Sequence, residues 1–155
     1  MIEDAVKLLR QRGVSLPEIA ALVREIQLAY YPGLTEEECL EAVTAVLKKR
    51  EVQNAVLTGI ALDMLTEQNL VPEPLGSIIR NDDFLYGVDE ILALAITNVY
   101  GSIGLTNFGY LDKLKPGMLG RIDRAKKGTV NTFLDDLVAG IAAAAAARIA
   151  HNHRA

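Results

Sequence analysis

The sequence predicts an all-α fold, a compact single-domain bundle of about six helices with a buried alanine-rich C-terminal helix. Three observations carry this. Two capping-box patterns are each followed by apolar residues at helical spacing, and no stretch alternates apolar and polar residues as a half-buried strand would. The run from Leu137 to Ala147 is uncharged and dominated by alanine, the strongest helix former. The 155 residues suit one domain, 1–155, at roughly 100–200 residues per domain.

Ser15 with Glu18 opens the first helix, and Ile19, Leu22, Val23 and Ile26 continue it to about Tyr30. Tyr31-Pro32-Gly33 breaks it. Thr35 with Glu38 starts the next, whose apolar stripe is Leu40, Val43 and Leu47. Val52 to Leu65 is apolar on more than one side and reads as a buried helix, either continuous with its predecessor across Lys48-Lys49-Arg50-Glu51 or separate from it. Val71-Pro72-Glu73-Pro74 marks a loop, because each proline lacks an amide donor and constrains the residue before it, with a short turn at Leu75 to Arg80.

Ile91 to Thr97, between Asp89-Glu90 and Asn98, fits a core helix that begins with two carboxylates; a buried strand is the competing assignment. Six of the 12 glycines fall between Gly101 and Gly128, which predicts turns or close backbone approaches there. The last helix is expected from about Asn131 to Ala150. Its methyl side chains let neighbours approach closely, which suits the centre of a bundle or a helical homo-oligomer interface.

Half the residues are apolar, 23% are charged and the formal charge is −4, values of an ordinary globular protein. That balance disfavours an electrostatic nucleic-acid binder, so no nucleic acid is expected as a partner. Cys39 is the only cysteine, which leaves an unpaired thiol with no internal disulfide to form. Met1-Ile2-Glu3-Asp4 carries acid where a secretory signal would carry base, and a cytoplasmic location is expected. The longest membrane-like stretch is the 11 residues from Leu137 to Ala147, against roughly 20 needed to span a bilayer.

No Walker loop, HExxH, CxxC or GxSxG motif is present. His151 and His153 lie near the chain end beside Arg154, where fraying makes them weak metal-ligand candidates. What remains is a set of acids, Asp89-Glu90, Asp112, Asp123 and Asp135-Asp136, interleaved with Lys115, Arg121, Arg124, Lys126 and Lys127. Hard carboxylates with cations are the components of Mg²⁺-assisted phosphoryl chemistry. Both acidic pairs lead directly into apolar segments, and carboxylates carried into a core need a cation or a metal to offset their desolvation. The plain alternative for Asp89-Glu90 is to complement a helix dipole.

These residues also carry a family resemblance. Phe108 to Asp112, then Lys115-Pro116, Asp123-Arg124, Gly128, Asp135-Asp136 and Ala139-Gly140, is similar to the C-terminal signature of the phosphatidylglycerophosphatase A family, and Asp89-Glu90 followed by Thr97 resembles its upstream acidic motif. The resemblance covers about residues 87–140. It implies Mg²⁺-dependent removal of the terminal phosphate from phosphatidylglycerophosphate, with a phosphorylated lipid head group or a small phosphomonoester as partner. Carried over residue by residue, it implies Asp89, Asp112 and Asp136 as catalytic residues and Lys115 and Arg124 as phosphate contacts. Asp89, Glu90, Asp112, Asp123, Asp135 and Asp136 are implied as metal ligands. The sequence departs from the family pattern at Met118, where a second proline is usual, and in the reduced glycine run Gly128-Thr129-Val130-Asn131. It also lacks the spanning segments of membrane-bound members, so contact with a membrane is expected to be peripheral, at the inner face.

Two other classes compete. Arg12 to Val23 resembles the first helix of a helix-turn-helix DNA-binding unit, but the following helix opens with Glu36-Glu37-Glu38, which would repel phosphates. A noncatalytic helical ligand-binding or interaction module would keep the fold, yet would have no reason to keep six carboxylates attached to core helices.

Overall fold

The computed structural model describes residues 1–123 and 127–154. Among these residues the chain is all-helical: α1 (Ile2–Gln11), α2 (Leu16–Gln27), α3 (Glu36–Leu47), α4 (Arg50–Glu67), α5 (Leu75–Asn81), α6 (Val88–Thr97), a 3₁₀ turn (Asn98–Tyr100), α7 (Ser102–Leu114), α8 (Met118–Asp123) and α9 (Leu134–Arg154). Both capping boxes form. The Ser15 and Thr35 hydroxyls accept from the Glu18 and Glu38 amides, and the two glutamates accept from the cap amides in return.

α9 is the axis of the bundle and packs against α2, α3, α4, α6, α7 and α8. Ala142 to Ala147 are all fully buried. Small side chains make this crowding possible. A Cβ at Gly140 would come within 3.0 Å of the Ala93 carbonyl oxygen on α6, and one at Gly59 on α4 within 2.6 Å of Leu137 Cδ1. Leu134, Leu137 and Ile141 complete the buried face of α9 and, with Phe133 just before the helix, share one continuous core with Leu9, Ile19, Val43 and Ile60.

The prediction of about six helices is corrected to nine among the described residues, and the reasons are local. α1 has no side-chain cap at Met1 to announce it, and it forms because Ala5 and Leu9 are buried with the helix packed on α4. α7 and α8 occupy the glycine-rich stretch: Gly101 and Gly117 adopt positive φ and make its turns, whereas Gly104 sits inside α7 where a Cβ would lie 3.0 Å from the Thr97 carbonyl oxygen. Burial of Phe108, Leu111, Leu119 and Ile122 outweighs the low helix propensity of these glycines. The chain breaks at Lys48-Lys49, so α3 and α4 are separate helices. The segment 91–97 is helix, not strand, and α9 is displaced toward the C-terminus relative to the expected 131–150.

Candidate functional site: a buried carboxylate cluster

Two helix starts and one helix end meet on one side of α9. Asp89 lies in the first turn of α6, and Asp135 and Asp136 in the first turn of α9; all three are buried. Asp112 comes from the last turn of α7, and Lys115 is that helix's C-cap, in a left-handed conformation with φ 45°.

The Lys115 ammonium donates to Asp135 Oδ2 at 2.9 Å and to Asp112 Oδ1 at 3.4 Å. The Asp136 amide donates to Asp135 Oδ1 at 2.9 Å, which satisfies the other oxygen of that carboxylate. The Asp136 carboxyl faces those of Asp89 and Asp112. Carboxyl groups brought together in this way disfavour one another's charged forms.

Burial of Asp136, then the neighbouring charge of Asp135, then the facing carboxyls of Asp89 and Asp112 push its pKa well above the ordinary carboxylate range, toward the protonated form. Burial also raises Asp135, against the opposing pull of Lys115. Burial works against the charge of Lys115, but Asp135, Asp112 and Asp136 outweigh it and hold the ammonium more firmly protonated than usual. Glu90 is exposed next to the cluster and is raised by desolvation and by Asp112 and Asp89.

The acids therefore outnumber the cation they share. Asp123, at the end of α8, is exposed and faces a cavity of about 150 Å³ that is also lined by Asp135, Asp82, Arg80, Thr129 and Asn131. Arg124 lies outside the described residues.

The two histidines are elsewhere. The His153 ring stacks on Tyr31 with centroids 4.1 Å apart, and His151 Nε2 is 3.3 Å from the Tyr100 carbonyl oxygen. Cys39 is buried, and burial pushes its thiol up to about 11, so it stays protonated as a small apolar side chain.

Sequence reasoning missed the roles of five residues. Asp63, fully buried on α4, accepts the backbone N–H groups of Phe133 at 3.0 Å and Leu134 at 2.9 Å and so caps the start of α9 from another helix. Four residues on, Glu67 accepts the Val130 amide at 2.8 Å and pairs with Arg12, which also donates to the Val130 carbonyl at 2.7 Å and to Asn131 Oδ1 at 3.0 Å. Asp63 was detectable as the one acid inside a segment read as buried. Asp82 caps α5 with φ 49° and is raised by burial and by the charge of Asp89; together with Arg80 it has no sequence signal beyond composition.

The family model of Phosphatidylglycerophosphatase A matches residues 6–151. The chain belongs to the phosphatidylglycerophosphatase A family. The match extends the resemblance well beyond 87–140, so residues 6–80 are part of the family domain and supply Asp63, Glu67 and Arg80. Low temperature requirement C protein of Listeria monocytogenes is 53% identical over 99% of this chain and 97% of its own, with a TM-score of 0.97. A protein of unknown function from Bacillus stearothermophilus is 57% identical over 98% of this chain and 94% of its own, with a TM-score of 0.95. Protein YpjQ of Bacillus subtilis is 53% identical over 99% of this chain and 86% of its own length. In this member of the phosphatidylglycerophosphatase A family, no helix among the described residues is long and apolar enough to cross a membrane.

Proposed function

We propose that this chain is a Mg²⁺-dependent phosphomonoester hydrolase that converts phosphatidylglycerophosphate to phosphatidylglycerol and inorganic phosphate. The supporting observation is the convergence of Asp89, Asp112, Asp135 and Asp136 from three helices onto each other with Lys115 as their shared cation. Core carboxylates in excess of their cations are costly to keep, and a hard divalent cation with oxygen ligands is the partner that offsets them.

The donor set fits Mg²⁺ in charge and atom type. Among the described residues no three Asp, Glu, His or Cys side chains already stand where they could hold a metal ion together, and Asp135 is paired with Lys115, so binding would require these side chains to rearrange. Asp89, Glu90, Asp112, Asp123, Asp135 and Asp136 are the proposed ligands. When bound, the metal supplies neutralising charge at the phosphate oxygens.

The chain's own residues supply the rest. Lys115, held in place by Asp112 and Asp135, offers its remaining N–H to a phosphate oxygen, and Arg124 is the second phosphate contact by family resemblance. Asp89, Asp112 and Asp136 are the proposed catalytic acids, one of which, in its ionised form, would take the proton of the attacking water. The lipid is reached by peripheral contact at the inner membrane face.

The test is inorganic phosphate release, with and without Mg²⁺, from micellar phosphatidylglycerophosphate and from soluble glycerol phosphates, comparing the native protein with Asp136→Asn. Metal-dependent turnover abolished by the substitution is expected. A folded native protein that releases no phosphate from either substrate would sink the reading in favour of a noncatalytic binding module.

A further inference from the structure

Resting on that reading and extending it, we infer that Arg80 binds the phosphodiester of the lipid head group, in the cavity it shares with Asp135. The proposed substrate carries two phosphates: the monoester to be removed and, across a three-carbon glycerol, the diester that joins the head group to the lipid. Lys115 is engaged with Asp112 and Asp135 at the carboxylate cluster. A second anionic group therefore needs a cation of its own.

The cavity next to the cluster supplies one. Its charged lining is Asp82, Asp123, Asp135 and Arg80, so among the described residues Arg80 is its single cationic side chain. Among the described residues, a phosphodiester placed there without Arg80 would meet three carboxylates and the neutral Thr129, Asn131 and Thr132 but no cation, and like charges at close range disfavour it.

Arg80 is also held for the task. Its Nη2 donates to Asn69 Oδ1 at 2.7 Å, just beyond α4, and to the carbonyl oxygen of Thr66 in the last turn of that helix at 3.4 Å. Asn69 itself takes a left-handed backbone, φ 58°. Among the described residues, Nη1 and Nε make no hydrogen bond, which leaves two sides of the planar fork for a ligand. A guanidinium anchored at one nitrogen suits two phosphodiester oxygens, where an ammonium would offer a point charge.

The monoester at the cluster and the diester at Arg80 make this cavity a selector for a bisphosphorylated glycerol over a simple glycerol phosphate. The effect of Arg80 is thus on which substrate is chosen, whereas a purely structural tie between α5 and α4 would act on all substrates alike.

Two measurements on the full chain decide this. Calorimetric titration with glycerophosphoglycerol, a phosphodiester without acyl chains or monoester, tests binding. Turnover of glycerophosphoglycerol phosphate against glycerol 3-phosphate, with Mg²⁺, tests selection. Arg80→Ala is expected to weaken diester binding about tenfold or more and to lower the ratio of the two kcat/KM values by a similar factor, with Arg80→Lys intermediate. A native protein that does not bind the diester, or a ratio that Arg80→Ala leaves unchanged, overturns the inference. Arg80-dependent diester binding without turnover of either phosphomonoester would instead uphold this subsite and remove the phosphatase reading.

Discussion

Asp63 on α4 accepts the Leu134 backbone N–H at 2.9 Å, so the first turn of α9, which carries Asp135 and Asp136, is capped by a carboxylate from a different helix. Helix starts are usually capped by a neighbouring Ser, Thr, Asp or Asn. Here the cap is tertiary, and it ties the position of the acidic pair to the packing of α4 on α9. Glu67 one turn later, with Arg12, fixes the segment before the helix in the same way.

Replacing Asp63 by alanine leaves two buried amides, those of Phe133 and Leu134, without acceptors. Each costs about 1–3 kcal/mol, so Asp63→Ala is expected to lower unfolding stability by several kcal/mol in denaturant melts. Asp63→Asn keeps one acceptor oxygen and should lose less. If the start of α9 is the element at stake, hydrogen exchange at Phe133 and Leu134 rises ahead of exchange in the middle of α9.

Asp63 also predicts a pH dependence. Burial raises its pKa from the ordinary 3.8 to about 7, in spite of the two amides that favour its charged form. A carboxyl with a raised folded pKa binds its proton more tightly in the native than in the unfolded state. Its contribution is therefore complete below about pH 4 and is lost as the pH rises through about 7. Unfolding free energy measured from pH 4 to 8 should decline over this window, and the decline should be shallower in Asp63→Asn, which has no proton to lose. An unchanged slope in that variant would assign the titration to other groups.

The capped helices, the alanine-rich core helix and the acidic blocks were legible because each writes its physics locally: Ser15 with Glu18, Thr35 with Glu38, and apolar runs that follow Asp89-Glu90 and Asp135-Asp136. α7 was not legible, because Gly104 and Gly109 lower its propensity and the compensating contacts are with α9 and the Thr97 backbone. Asp63, Asp82 and Arg80 were missed for the same reason. Their partners lie 11 to 71 positions away, or are charges in other blocks, and no spacing rule reports on that.

The close crossing of α6 and α9 at Ala93 and Gly140 sets the approach of Asp89 to Asp136. A Cβ at Gly140 would come within 3.0 Å of the Ala93 carbonyl oxygen, a backbone atom that moves only if α6 moves. Gly140→Val is expected to destabilise the fold by about 1–3 kcal/mol, the usual cost of overpacking. On the phosphatase reading it should also reduce turnover beyond what stability explains, because the displaced helix carries Asp89. Thermal melts and kcat measured on the same preparation, at a temperature where the variant is fully folded, separate the two effects.

Asp136→Asn is expected to separate stability from activity. At pH 8 the native cluster holds buried carboxyls against the repulsion of Asp135 and the cost of desolvation, both of which push Asp136 toward its protonated form. An asparagine of the same shape carries no charge and has two N–H donors for Asp89 and Asp112. The variant should thus gain about 0.5–2 kcal/mol at pH 8 in the absence of divalent cations. Added Mg²⁺ should raise the melting temperature of the native protein more than that of the variant, because the substitution removes one proposed oxygen ligand and its charge. Phosphate release should fall to background. A variant that is more stable and still active would mean that Asp136 is a core polar residue outside the chemistry.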